Sequence, residues 1–92
     1  MSRVRRLPVV DEYVEGGRAA VYATSGEVVA LSELATWVWT ALTDEWGSIE
    51  DLADGLVREF GAPDDVDPVP ATRATVEALV DHGLAELDPT AG

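Results

Sequence analysis

The spacing of apolar and polar residues changes character near residue 31 of the chain. Before that point, short apolar runs with the two-residue period of β-strands are separated by turn residues at Gly16-Gly17 and Ser25-Gly26. Three strands are predicted there, over Leu7–Val14, Arg18–Thr24 and Glu27–Leu31. Because short turns link them, we expect one three-stranded antiparallel sheet.

Beyond residue 31 the apolar residues recur every three or four positions, which is typical of amphipathic helices. Helices are predicted from Glu33 to Glu45 behind a Ser32 cap, from Ser48 to Gly61, and from Ala71 or Thr72 to Gly83. The core face of the third is expected to be Thr72, Val76 and Leu79. Strands followed by helices predict an α+β class with a helix-turn-helix-like arrangement.

Length and composition narrow the class of protein. With 92 residues the chain is expected to form one domain over residues 1–92, with a structured core at about 7–87. The absence of cysteine excludes disulfides and thiolate metal sites and is typical of a reducing compartment, so a cytoplasmic location is expected. No apolar run of membrane-spanning length occurs, and no membrane partner is predicted.

Charge is the most distinctive bulk property. The formal net charge is −12, and all six cationic side chains are arginines, of which Arg3, Arg5 and Arg6 lie at the start of the chain. Such a surface repels phosphate backbones, so nucleic-acid binding by the body of the domain is disfavoured. The acidic surface favours a cationic or neutral partner. The alternative interpretation is that the acidic side chains serve only to keep the protein soluble.

Candidate catalytic groups are sparse. The single histidine, His82, is next to Asp81, but adjacent helix residues do not face each other and no serine or cysteine nucleophile is placed beside them. The acidic run Asp64–Asp67 lacks the glycine and distal glutamate of a calcium loop, which favours an exposed loop. No enzyme activity, cofactor or metal is therefore predicted.

Trp37 and Trp39 lie on the first predicted helix. Trp39 is one step away from the apolar stripe and is expected to cover the core. Trp37 points elsewhere, because residues two apart on a helix do not share a face. Two interpretations of Trp37 stay open: an exposed contact residue or incidental packing.

A signature runs along the starts and apolar faces of the predicted helices. It consists of Leu31-Ser32, Ala35, Val38-Trp39, Leu42, Ser48-Ile49, Leu52-Ala53, Leu56, Phe60-Gly61, Val76, Leu79 and Gly83-Leu84. This signature and the order of elements resemble the PqqD-like family, the leader-peptide recognition elements of pathways that make ribosomally synthesised, post-translationally modified peptides. The similarity covers roughly residues 7–87.

The resemblance implies a small, stand-alone, winged-helix-like module without catalysis. It would bind the leader region of a precursor peptide and deliver it to a modifying enzyme or leader protease, with a lasso-peptide or related pathway as the leading expectation. The leader is expected to add as a strand to the third predicted strand, in a groove against the third helix. The residues implied are Glu27, Val28, Val29, Ala30 and Leu31 on the strand, and Arg73, Val76, Glu77 and Val80 on the helix.

A winged-helix DNA-binding regulator is the alternative hypothesis. In that case the N-terminal arginines Arg3, Arg5 and Arg6 would serve as a minor-groove arm. The net charge of −12 argues against it.

Overall fold

A computed structural model of the chain describes residues 3–61 and 67–88. The described residues form six strands and three helices. The strands are β1 (Arg3–Arg6), β2 (Val9–Glu15), β3 (Arg18–Ala23), β4 (Val28–Ala30), β5 (Gly47–Ser48) and β6 (Ala85–Asp88), and the helices are α1 (Glu33–Ala41), α2 (Ile49–Phe60) and α3 (Pro68–Asp81). The predicted α+β class and its three helices are confirmed.

The prediction of a single sheet is wrong. Strands β2, β3 and β4 form the expected antiparallel sheet in that order, but β1 lies in the centre of a second antiparallel sheet, between β5 and β6. β1 pairs Arg3 with Asp88 and Arg6 with Ala85, at the other end of the chain. Three of its four residues are arginines, so local apolar periodicity gave no sign of a strand that distant partners stabilise.

Two helix boundaries also differ from prediction. Helix α1 stops at Ala41 because Leu42 is already extended, and the backbone carbonyl of Thr43 accepts a hydrogen bond of 2.7 Å from the N–H of Arg6. Helix α3 begins earlier than expected, at Pro68, where the Asp67 side chain caps it. Proline suits the first helical position because no intrahelical partner exists there for an N–H.

The core lies between one face of the β2–β3–β4 sheet, the three helices and the buried side of the β5–β1–β6 sheet. It receives Val21 and Val29 from the sheet and Val38 and Trp39 from α1. The predicted core face of α3 is confirmed, since Thr72, Val76 and Leu79 are all buried. β4 is thereby fixed against the helices by its inward side chains, while its outer long edge is left at the margin of the sheet.

Candidate functional site

β4 is an edge strand, and its hydrogen bonds to β3 fix which backbone groups face outward. The N–H of Ala23 donates to the carbonyl of Glu27, and the N–H of Leu31 donates to the carbonyl of Ala19, both at 2.8 Å. In an antiparallel pair, alternate residues direct both backbone groups to the same neighbour. Glu27, Val29 and Leu31 therefore face β3, and the residues between them direct their N–H and C=O groups away from the sheet.

Those outward-directed residues are Val28 and Ala30. Their side chains are exposed, whereas the intervening Val29 side chain is 6% exposed and belongs to the core. The five strand residues implied by the resemblance thus divide into two groups. Val28 and Ala30 offer backbone groups at the edge, and Glu27, Val29 and Leu31 hold the strand to β3.

The opposite edge of the same sheet is β2. A two-residue turn at Gly16-Gly17, with φ of 60° and 78°, joins it to β3 and pairs Glu15 with Arg18. By the same alternation, Glu12 is a residue whose backbone faces outward. Its N–H is already bonded to the Asp11 carboxylate at 2.8 Å, and a bulge interrupts the strand at Val10. This edge is partly closed to pairing.

A polar cluster holds β2 to the rest of the molecule. One carboxylate oxygen of Glu12 accepts hydrogen bonds of 2.6 Å from the indole Nε1 of Trp39 and from the Arg6 guanidinium. Arg6 also lies 3.7 Å above the centre of the Trp39 ring. The cluster joins β1, β2 and α1, and it provides the partner that a buried indole N–H requires.

The implied helix residues lie in different environments. Glu77 is exposed and Arg73 and Val80 are half-buried, but Val76 has no exposed surface. Val76 therefore lies behind the helix surface, as part of the core. The other three residues form a surface of mixed polarity, with a cation, an anion and one accessible apolar side chain.

The end of α3 reaches the start of β4 through His82. This residue is the C-cap of the helix, and its Nδ1 lies 2.8 Å from a carboxylate oxygen of Glu27. Both side chains are about half exposed, so the pair is worth little in stability. Its importance is positional, because it brings the third helix to the edge strand. A contact between residues 55 positions apart in the chain had no signal in the sequence.

The N-terminal arginines are structured and paired. Arg3 contacts Asp88 at 3.8 Å, Arg5 contacts Glu86 at 3.2 Å and Arg6 contacts Glu12. All three belong to β1 rather than to an extended arm. Within the described residues, these arginines therefore do not form the extended arm that the DNA-binding alternative requires.

Trp37 packs against α2. Its ring covers Gly55, where an added Cβ atom would lie 2.4 Å from the indole. The packing interpretation of this residue is the one that the structure supports. Trp39 is fully buried, as part of the core.

Residues 3–61 and 67–88 contain no group of three histidine or acidic side chains placed to hold a metal ion. Asp64 to Val66 of the acidic run lie outside these residues. None of the helices in the described part of the chain is long and apolar enough to cross a membrane.

Comparison with protein families identifies one match. The family model described as coenzyme PQQ synthesis protein D (PqqD) matches residues 17–87. The matched region includes β3, β4 and all three helices, and therefore both the β4 edge and α3. No curated protein and no solved structure gave a significant match.

Proposed function

Because the chain belongs to the PqqD family, we propose that it binds the leader region of a ribosomally synthesised precursor peptide by strand addition to β4. The family implies a peptide-binding accessory protein of peptide biosynthesis. The observation that carries the binding mode is the outward direction of the Val28 and Ala30 backbone groups on an exposed strand. An extended peptide would pair with these groups and gain affinity from main-chain hydrogen bonds.

The proposed groove lies between β4 and the α3 residues Arg73, Glu77 and Val80. Alternate side chains of an added strand point to opposite faces of the sheet. Every second leader residue would therefore point toward α3, where the half-buried Val80 favours an apolar side chain. Carboxylates of Glu27 and Glu77 favour a leader with some positive charge, and higher salt should then weaken binding.

The biological setting proposed is that of a non-catalytic delivery module. The β2–β3–β4 sheet and the three helices support a winged-helix-like domain, and we propose that residues 1–92 act as one unit in the cytoplasm. The bound peptide would be passed to a modifying enzyme or a leader protease. A lasso-peptide or related pathway is the proposed context.

The test is a titration of a fluorescein-labelled leader peptide from a candidate precursor found in the gene neighbourhood of this chain. Val28→Pro removes an outward N–H from β4 without removing a bond to β3. We expect the variant to bind the leader at least about tenfold more weakly, which corresponds to roughly 1.4 kcal/mol.

Val14→Pro is the matched control, since it removes an outward N–H from the opposite edge. The leader should bind this variant with an affinity within about twofold of the wild type, a difference that stays below roughly 0.5 kcal/mol. Circular dichroism and thermal unfolding of both variants report whether the fold is retained. Equal affinity of a folded Val28→Pro variant and the wild type would contradict strand addition at β4.

A further inference from the structure

The face of the β2–β3–β4 sheet that points away from the helices has an apolar centre, which is bordered by Asp11 opposite Tyr22 and by Glu15 opposite Arg18. Strand register places Tyr13 opposite Ala20, which is opposite Ala30, and places Tyr22 opposite Val28. Directly opposed residues share a face of the sheet. These five residues form what we call the outer aromatic face.

The outer aromatic face is open in the described structure. Tyr13 is 64% exposed, Tyr22 44% and Val28 68%, and a shallow depression of about 200 Å³ lies among them. The core that receives the helices is on the opposite face of the sheet. Tyrosines of this kind provide large contact area at low entropic cost, which is typical of protein interfaces.

Charge indicates what kind of surface would cover this face. Tyr13 stands between two carboxylates on β2, Asp11 and Glu15, and its hydroxyl donates a hydrogen bond of 3.4 Å to the Glu15 carboxylate. A second copy of a chain with a net charge of −12 would bring like charges together, which disfavours self-association. The complementary surface is an apolar patch bordered by lysine or arginine side chains on a different protein.

The position of Val28 and Ala30 indicates which protein would cover the outer aromatic face. Their backbone groups form the proposed peptide edge, and their side chains belong to the outer aromatic face. A peptide strand added at this edge would direct every second side chain outward, beside Val28, and would extend the same face. A protein that docks there would contact the module and its bound peptide together.

We propose that the outer aromatic face is the docking site of the modifying enzyme that acts on the bound precursor. This inference rests on the proposed function. The enzyme contacts a composite surface made of the two tyrosines and the outward side chains of the leader strand. It therefore binds the peptide-loaded module more tightly than the empty one. Coupling of this kind is reciprocal, and the enzyme should raise the affinity for the leader by the same factor.

The experiment measures binding of a purified candidate modifying enzyme from the gene neighbourhood of this chain, by calorimetry, with and without saturating leader peptide. The double variant Tyr13→Ser/Tyr22→Ser is expected to weaken enzyme binding at least about tenfold, since interface tyrosines are frequent hot spots. Its own affinity for the leader should stay within about twofold of the wild type, because the backbone edge is unchanged.

Phe60→Ser is the matched control, since Phe60 is an aromatic residue 47% exposed at the end of α2, outside the sheet. This variant should bind the enzyme as the wild type does. Enzyme binding that is equally strong in the double variant, equally weakened in Phe60→Ser, or undetectable with the loaded wild type would overturn the proposal. Failure of the leader to bind the wild type would instead count against strand addition, and the leader titration reports that outcome separately.

Discussion

The two edges of the β2–β3–β4 sheet differ in how far they are protected against pairing with another strand. β2 is seven residues long, carries a bulge and three acids, and has an outward N–H capped by Asp11. β4 is three apolar residues long, and the described structure shows no such cap on it. Proteins commonly protect exposed edges against pairing. An edge left open beside a protected one is therefore a candidate site for a partner strand.

The two edges are also anchored by different forces. β2 is held through Glu12 to Arg6 and Trp39, whereas β4 is held by burial of Val29 and Leu31. The polar anchor of β2 consists of side-chain hydrogen bonds and leaves the outer face of that strand free. The apolar anchor of β4 consists of inward side chains and leaves the outward backbone groups of that strand free. The following substitutions test the two anchors and the protection of the β2 edge, from the largest expected effect to the smallest.

Trp39→Ala should have the largest effect, because it empties a fully buried site and removes the indole donor to Glu12. We expect the free energy of unfolding to fall by about 3–5 kcal/mol, measured by urea denaturation. Trp39→Phe retains most of the ring volume and should lose less. A loss below about 1 kcal/mol for the alanine variant would show that this cluster does not hold β2 in place.

Thr36→Val tests the support of β4. The Thr36 hydroxyl accepts a buried hydrogen bond of 2.8 Å from the N–H of Ala19, next to the point where Leu31 pairs with β3. Valine has a similar shape and no acceptor, so the N–H loses its partner and unfolding should become easier by about 1–3 kcal/mol. Thermal unfolding measures this, with Thr36→Ser as the control that keeps the hydroxyl. Equal stability of the valine and serine variants would show that the bond contributes nothing.

Asp11→Ala should have the smallest effect on stability, because it removes an exposed carboxylate from the β2 edge. The unfolding free energy should change by less than about 0.5 kcal/mol, while amide hydrogen exchange at Glu12, followed by NMR, should become faster. Leader affinity should not change if peptides bind at β4. Tighter leader binding by this variant would indicate that β2 is a competing edge.

The parts of the fold with strong local signals were predicted correctly. The spacing of Thr72, Val76 and Leu79 predicted a buried helix face, and Ser32 was predicted as the cap of α1. β1 was missed because Val4 is its only apolar residue. The stability of β1 comes from β5 and β6, which lie about 45 and 80 positions further along the chain than β1.

The candidate site was only partly predictable for the same reason. Sequence and resemblance indicated the strand from Glu27 to Leu31, and the hydrogen bonds of β3 then distinguished the outward Val28 and Ala30. The contact between Glu27 and His82 joins residues 55 positions apart, so no local pattern could reveal it. The outer aromatic face also depended on register, because Tyr13 and Tyr22 lie on different strands.

The sequence by itself determined the three strands of the β2–β3–β4 sheet, the three helices, the Ser32 cap of α1 and the acidic character of the protein, since each depends on neighbouring residues or on composition. Tertiary structure decided which edge stays open, which arginines are paired and which tyrosines share a face. Those properties depend on strand register and on contacts between distant residues. A shift of one position would reverse the direction of every side chain on β4, and only the folded chain fixes that position.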